Sequence, residues 1–318
     1  MIVGGPGWTR KLGATGLDVT AVTLGAGPLG SMAWVSGHDT PEDVGIAVVA
    51  EVLGSPIRAV DTSNGYSDGD SERRIGAALA QAGGVPDDFL VITKVDARGA
   101  DYSGERVRAS VRESKERLGL DGLPLVHLHD PEFHDQDVLM APGGAVETLV
   151  RLRDEGEIGH LGVAAGNLRV INRHLDLGVY EAVLIHSRWS LVDRSAGDTF
   201  DRARADGLGI FNAAVYGGRL LADPHGGVST YGYRPAEPET LAAVAAMAAA
   251  CERHGTDLAT AALQFSLRDP RVDTTVVGIS RPERIGPLLQ SAGTTLPDEL
   301  WDELESLTPG PEHWLDHA

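Results

Sequence analysis

Short apolar runs of β character alternate with stretches of helical spacing along the 318 residues, and this alternation constrains the fold more than any other feature of the chain. The runs are VTAVTL at 19–24, IRAV at 57–60, FLVIT at 89–93, LPLVHL at 123–128, HLGVAA at 160–165, EAVLI at 181–185, LGIFNA at 208–213 and DTTVV at 273–277. Between and after them the spacing predicts helices over 41–53, 72–81, 104–118, 145–155, 168–175, 194–204, 239–253 and 282–290, the first with Thr40 as N-cap and Pro41 at its first position. Near-continuous apolar strands, each followed by a helix, belong to a parallel sheet whose faces are covered. Eight such units predict an α/β protein, a closed (β/α)8 TIM barrel, as one domain over 1–318 with its active site at the carboxyl ends of the strands. No Pro/Ser-rich linker or charge block divides the chain.

Composition narrows the function classes. A formal net charge of −19 offers no basic surface for releasing counterions from a polyphosphate, which argues against nucleic acid and anionic membranes as partners. The single cysteine, Cys251, excludes an internal disulfide and fits a reducing compartment. The start lacks the pattern of a signal peptide and no stretch has the apolar length of a spanning helix, so the expected location is cytoplasmic.

Three of the runs end on polar residues that a buried strand end does not carry by default: Asp61, Lys94 and His129, with Tyr66 in the loop after the first of them. Singly, each has a plain structural role, as a turn cap, a snorkelling lysine, a satisfied core histidine or an exposed loop residue. Together, a carboxylate, an ammonium, an imidazole and a phenol at one end of parallel strands make a proton-transfer site. Lysine occurs only at positions 11, 94 and 115, with arginine used elsewhere, which sharpens the attention on Lys94.

Two other motifs point elsewhere. Gly25, Gly27 and Gly30 have the G-x-G-x-x-G spacing of a dinucleotide-binding turn, but Pro28, Gly37 and Pro41 interrupt the helix that such a turn must open. His127 and His129 share one strand face, the geometry of a metal-dependent barrel hydrolase, with His186 and Asp273 as further ligands. The reading adopted assigns no metal.

The segment AVDTSNGYSDGDSERRIGAAL, followed by VITKV and VHLHDPE, resembles the aldo-keto reductase superfamily, and the likeness runs from LGATGLDVTAVTLGAGPLG through GVAAGN to VVGISRPERI. The stretches FNAAVYGGRLLADP and CERHGTDLATAALQFSL are similar to the branch of D-threo-aldose and L-fucose 1-dehydrogenases, and more loosely to pyridoxal dehydrogenases. The resemblance implies an NAD(P)-dependent oxidoreductase moving hydride between nicotinamide and a carbonyl or alcohol carbon of a small substrate, a sugar or an aldehyde. Aldose C1 dehydrogenase is the leading activity. A broad aldehyde and ketone reductase, a pyridoxal-type dehydrogenase and a non-catalytic cofactor-sensing subunit are the alternatives.

By the same resemblance Tyr66 is the proton donor or acceptor, Lys94 lowers its pKa, Asp61 holds Lys94, and His129 positions the substrate oxygen. Lowering a phenol by two units from about 10 corresponds to about 2.7 kcal/mol, within reach of one adjacent ammonium. Asn167 and His186 would hold the nicotinamide amide, although Ala165 and Gly166 stand where a serine is usual. Trp189 would stack on the nicotinamide ring. Gly278, Ser280 and Arg284 would hold the adenosine phosphate, and Arg284, which suits a ribose 2′-phosphate, leans the cofactor toward NADP(H) over NAD(H). Pro287 and Leu288 replace a pair that contacts adenine. Met32, Trp34, Phe133, His134 and Trp314 are the candidate substrate-facing residues.

Overall fold

The computed structural model describes residues 1–31 and 39–316. Eight parallel strands close into a barrel: β1 Val22–Gly25, β2 Ala59–Asp61, β3 Leu90–Val95, β4 Leu123–His129, β5 Ile158–Ala165, β6 Ala182–His186, β7 Gly209–Ala213 and β8 Thr274–Gly278. Neighbours in sequence are neighbours in the sheet, and β8 closes the ring by pairing with β1 through Thr275 and Val22 and with β7 through Thr274 and Phe211. The helices around it are α1 Glu42–Leu53, α2 Asp70–Gln81, α3 Gly104–Leu118, α4 Ala145–Asp154, α5 Leu168–Leu175, α6 Gly197–Ala205, α7 Pro238–Arg253, α8 Leu258–Leu267, α9 Ile285–Gly293 and α10 Asp298–Ser306. Among the described residues no helix is long and apolar enough to cross a membrane.

The strands are apolar on both faces because each face has its own core. Successive side chains alternate sides, so on β4 Val126 and Leu128 join an outer layer with helix residues such as Val107, Val111 and Leu149. Leu125 points the other way, into a barrel interior shared with Ala59, Ile92, Leu184, Phe211 and Val276. The inner positions turn polar toward the carboxyl end, and this gradient places the site.

The amino-terminal segment plugs the opposite end. The run at 19–24 is divided: Asp18–Thr20 pairs antiparallel with Thr9–Lys11, and only Val22–Gly25 enters the barrel. Leu12 and Val19 of this hairpin are buried among the inner residues.

Helix boundaries depart from the pattern where local chemistry intervenes. Pro41 caps α1 with an extended ψ of 152° instead of occupying its first turn, and the Thr40 hydroxyl makes no capping bond. The helix expected from 194 begins at Gly197, because a turn joins Ser190 to Asp193 and the Asp193 carboxylate accepts from Ser195 N. Helix α8 lies outside the segments whose spacing predicts a helix, although Asp257 carries a capping signal and accepts from Thr260 N at 2.7 Å. Gly25 ends β1, Gly27–Gly30 form a single 3-10 turn, and among the described residues no α-helix starts before Glu42, so the glycine spacing is not that of a doubly wound fold.

Candidate active site

The loop after β2 is shaped by its own residues and by α2 and α3. Ser67 and Asp68 take left-handed φ values of 50° and 52° ahead of Gly69, turning Tyr66 back over the barrel. Below it, the Ser71 hydroxyl bonds Thr62 Oγ1 at 2.9 Å and donates to Ala26 O, while Glu72 accepts from Thr93 and Arg117. Asn64 is held by Arg106, which forms a two-pronged pair with Glu113 of α3. Ser71 and Glu72 are thus a fastening for the loop that carries Tyr66.

Asp61, Lys94 and Tyr66 meet on the inner face. The Lys94 Nζ donates to Asp61 Oδ2 at 2.6 Å, to Thr62 O at 2.6 Å and to the Tyr66 hydroxyl at 3.2 Å. With Lys94 1% and Asp61 3% exposed, neither charge is hydrated. Burial is the largest single influence and opposes the ammonium, but Asp61 and the Tyr66 hydroxyl together outweigh it and raise the Lys94 pKa above its ordinary value, so the lysine is charged. For Tyr66 the balance runs the other way. Burial raises the phenol above 10 and Lys94 pulls against it without prevailing. The expectation that Lys94 brings the phenol down is therefore corrected for the protein alone: the lysine's influence has the expected sign, and desolvation exceeds it.

His129 completes the group, with its ring 5.6 Å from that of Tyr66 in an edge-on arrangement. Its Nδ1 lies 2.6 Å from Asp96 Oδ1 and 3.1 Å from Ser63 Oγ, and its backbone N–H donates to Tyr102 Oη at 3.0 Å. Asp96, Ser63 and Tyr102 were not singled out from the sequence, because each lies beside the strand ends and their convergence is tertiary. Asp130, with a φ of 44°, and Glu132 follow β4 at the mouth, where their carboxylates and His186 gather ligand atoms within 4.8 Å of one another. Tyr233, 62% exposed on the tip joining Thr230–Tyr231 to Arg234–Pro235, meets the His186 ring edge-on at 5.6 Å.

The remaining predicted residues divide. Phe133 is 77% exposed, and His134 packs edge-on against Tyr102 beside the mouth. His186 ends β6 on the inner face; burial lowers its pKa to about 4, and its Nδ1 is buried without a partner. Asn167 caps α5, accepting from Val170 N, and its own N–H reaches Glu132 Oε1 at 3.3 Å. Gly278 ends β8, with Ser280 and the exposed Arg284 in the turn beyond it. Trp314 lies in the carboxyl-terminal tail and donates from Nε1 to Pro309 O. Met32 and Trp34 lie outside the described residues.

One expectation, that of Trp189, fails on position, and two residues of the metal alternative lie away from the mouth. Trp189 does not face the tetrad: after the left-handed turn at Ser187 its ring packs outside the barrel on Phe200 and Phe265, beneath Arg271. His127 shares the inner face with His129 but lies a layer deeper, fully buried and edge-on to Phe211. Asp273 is at the far end of the barrel, held by Arg204 and by the N–H groups of Gly13 and Ile210. The ligand set of a metal-dependent hydrolase does not come together from these residues.

A closed (β/α)8 barrel that gathers its ionisable side chains at the carboxyl ends of its strands is built as a barrel enzyme. Residues 23–309 match the model of the Aldo/keto reductase family, and the chain belongs to that family. It is 31% identical over 307 residues to L-galactose dehydrogenase of Arabidopsis thaliana, covering 94% of this chain and 93% of that protein. It is 30% identical over 330 residues to D-threo-aldose 1-dehydrogenase of Pseudomonas sp, covering 94% and 97%. The barrel is similar to that of an aldo-keto reductase from Bacillus halodurans in its holo form, with a TM-score of 0.77 at 22% identity over 95% of this chain and 96% of that one. The protein is an NAD(P)-dependent oxidoreductase.

Proposed function

We propose that the protein is an aldose 1-dehydrogenase in which Tyr66 exchanges the hydroxyl proton at the sugar's C1. The observation that carries this reading is the Lys94 ammonium, fastened by Asp61 and Thr62 and donating to the Tyr66 hydroxyl. Buried polar atoms without partners lie at the mouth, His186 Nδ1 and Glu132 Oε2, and they fit the amide of a nicotinamide. When bound, the dinucleotide supplies the hydride acceptor. Tyr66 takes the C1 hydroxyl proton, Lys94 stabilises the phenolate that accepts it, and His129 donates from Nε2 to the same oxygen.

The mouth supports a neutral polyhydroxylated substrate. Asp130 offers an acceptor for hydroxyl groups and with Glu132 repels anions, while Phe133 and Tyr233 present exposed ring faces. The named activities of the two sugar dehydrogenases above agree with that chemistry. Beside the mouth, a cleft of about 470 Å³ between the start of α1 and the turn after β8 sets Arg281 among Asp39, Asp43 and Glu283. Three carboxylates favour a ribose diol over a 2′-phosphate, so we propose NAD(H), against the lean that Arg284 alone suggests.

The test is turnover of aldoses by wild type and Tyr66→Phe, with NADH and NADPH binding followed by nicotinamide fluorescence. The variant is expected to bind cofactor normally and lose about 10²–10⁴ in turnover. Because burial holds the phenol protonated, wild-type oxidation is expected to quicken as pH rises above neutral. Full turnover by Tyr66→Phe would sink the mechanism, and sugar oxidation only with NADP would sink the cofactor assignment.

A further inference from the structure

We propose that Asp96 is a positioning residue that holds His129 as an imidazolium with its Nε2–H turned to the substrate oxygen. The inference deepens the reading of His129 given above and rests on it for its catalytic consequence.

The Asp96 carboxylate has no donor of its own when ionised, and three donors converge on it. Oδ1 lies 2.6 Å from His129 Nδ1, Oδ2 accepts from Gly65 N at 2.7 Å, and the Ser63 hydroxyl also donates to Oδ2. The two donors on Oδ2 favour the ionised acid, and burial notwithstanding they and His129 hold the Asp96 pKa below its ordinary value, so Oδ1 is the acceptor for an Nδ1–H. The carboxylate packs closely on the backbone of Gly65. A Cβ on Gly65 would lie 2.8 Å from its Cγ, and the Asp96 backbone is fixed by N–H donation to Ser110 Oγ and by the Arg106 Nε–H to its carbonyl.

The other groups facing His129 leave a net demand for positive charge on its ring. Lys94 lies beyond Tyr66 and is compensated by Asp61, while Tyr66 is held neutral. His127 beneath and His186 across the barrel are held neutral by burial. Asp130 places Oδ1 3.7 Å from Nε2, so carboxylates flank the imidazole on both ring nitrogens. Burial opposes both charges of the pair, yet the His129 pKa is raised, chiefly by Asp96, and that of Asp96 is lowered, chiefly by His129. With Nδ1–H committed to Asp96, the second proton sits on Nε2, and a charged donor stabilises a developing alkoxide more strongly than a neutral one.

The experiment is two-bond ¹H–¹⁵N spectroscopy of histidine-labelled protein from pH 5 to 9, with His129 assigned by its loss in His129→Gln. In the wild type both His129 nitrogens are expected to be protonated at pH 7. In Asp96→Asn the midpoint should fall by a pH unit or more, roughly a tenfold change in proton affinity, and kcat should fall by roughly tenfold with cofactor affinity unchanged. A neutral wild-type His129 at pH 7, or a midpoint unmoved in Asp96→Asn, would overturn the proposal. The wild-type spectrum decides the charge even if the variant does not fold. The spectra do not depend on turnover, so the two readings fail separately: a charged His129 beside a fully active Tyr66→Phe would overturn the dehydrogenase mechanism and leave the pair standing.

Discussion

Lys94 is the residue whose environment is least forgiving. Its ammonium lies in the barrel with Asp61 as its counter-charge, and Asp61 Oδ1 already has no partner. Removing one member of a buried pair leaves the other charge uncompensated, which costs about 3–5 kcal/mol, far more than an exposed pair would. Lys94→Met is therefore expected to lower stability by about that amount in urea unfolding, and Lys94→Met with Asp61→Leu should regain much of it. A loss under about 1 kcal/mol would mean that Asp61 is uncharged in the native protein. This residue was legible in the sequence because an apolar run ending in lysine is conspicuous. Asp96, two positions later, was not, since an aspartate just past a strand reads as an ordinary loop residue until His129 is seen against it.

At the scale of the element, the pairing of β4 with β5 explains the second histidine of the strand. Register sets His127 opposite Gly162, and a Cβ on Gly162 would run into the His127 imidazole. The glycine makes room for a buried ring, so Gly162→Ala is expected to cost about 1–3 kcal/mol as overpacking. Calorimetric or denaturant unfolding would check this, and Gly162→Ala with His127→Ala should be less destabilised than the sum of the single changes. Additive losses would show that the glycine matters for its backbone and not for the ring. The period of two put both histidines on one face from sequence alone, but depth along the barrel decided that one reaches the mouth and the other fills the core.

Over the whole molecule, structural and chemical duties are separated by the length of the barrel. The hairpin plug inserts Leu12 at one end, secured by Arg10 bonds to Val272 O and Leu267 O, while the ionisable cluster occupies the other. Leu12→Ala is expected to cost about 2–5 kcal/mol by leaving a cavity in the inner core, without changing cofactor affinity. Unfolding measured alongside nicotinamide titration would test the separation. A weakened cofactor affinity at full stability would show that the two ends are coupled.

The barrel was readable from the chain alone, because eight apolar runs joined by helical segments have few other ways to bury both faces of a parallel sheet. So were Asp61, Lys94, Tyr66 and His129 as a group, because strand ends in such a barrel converge. Tertiary structure alone decided the rest. A left-handed residue at Ser187 turns Trp189 outward, the Thr230–Pro235 hairpin brings Tyr233 over the mouth, and Asp96 meets His129 across two strands. Periodicity fixes which face a side chain occupies, whereas loop direction and the balance between desolvation and neighbouring charge depend on contacts distant in the chain.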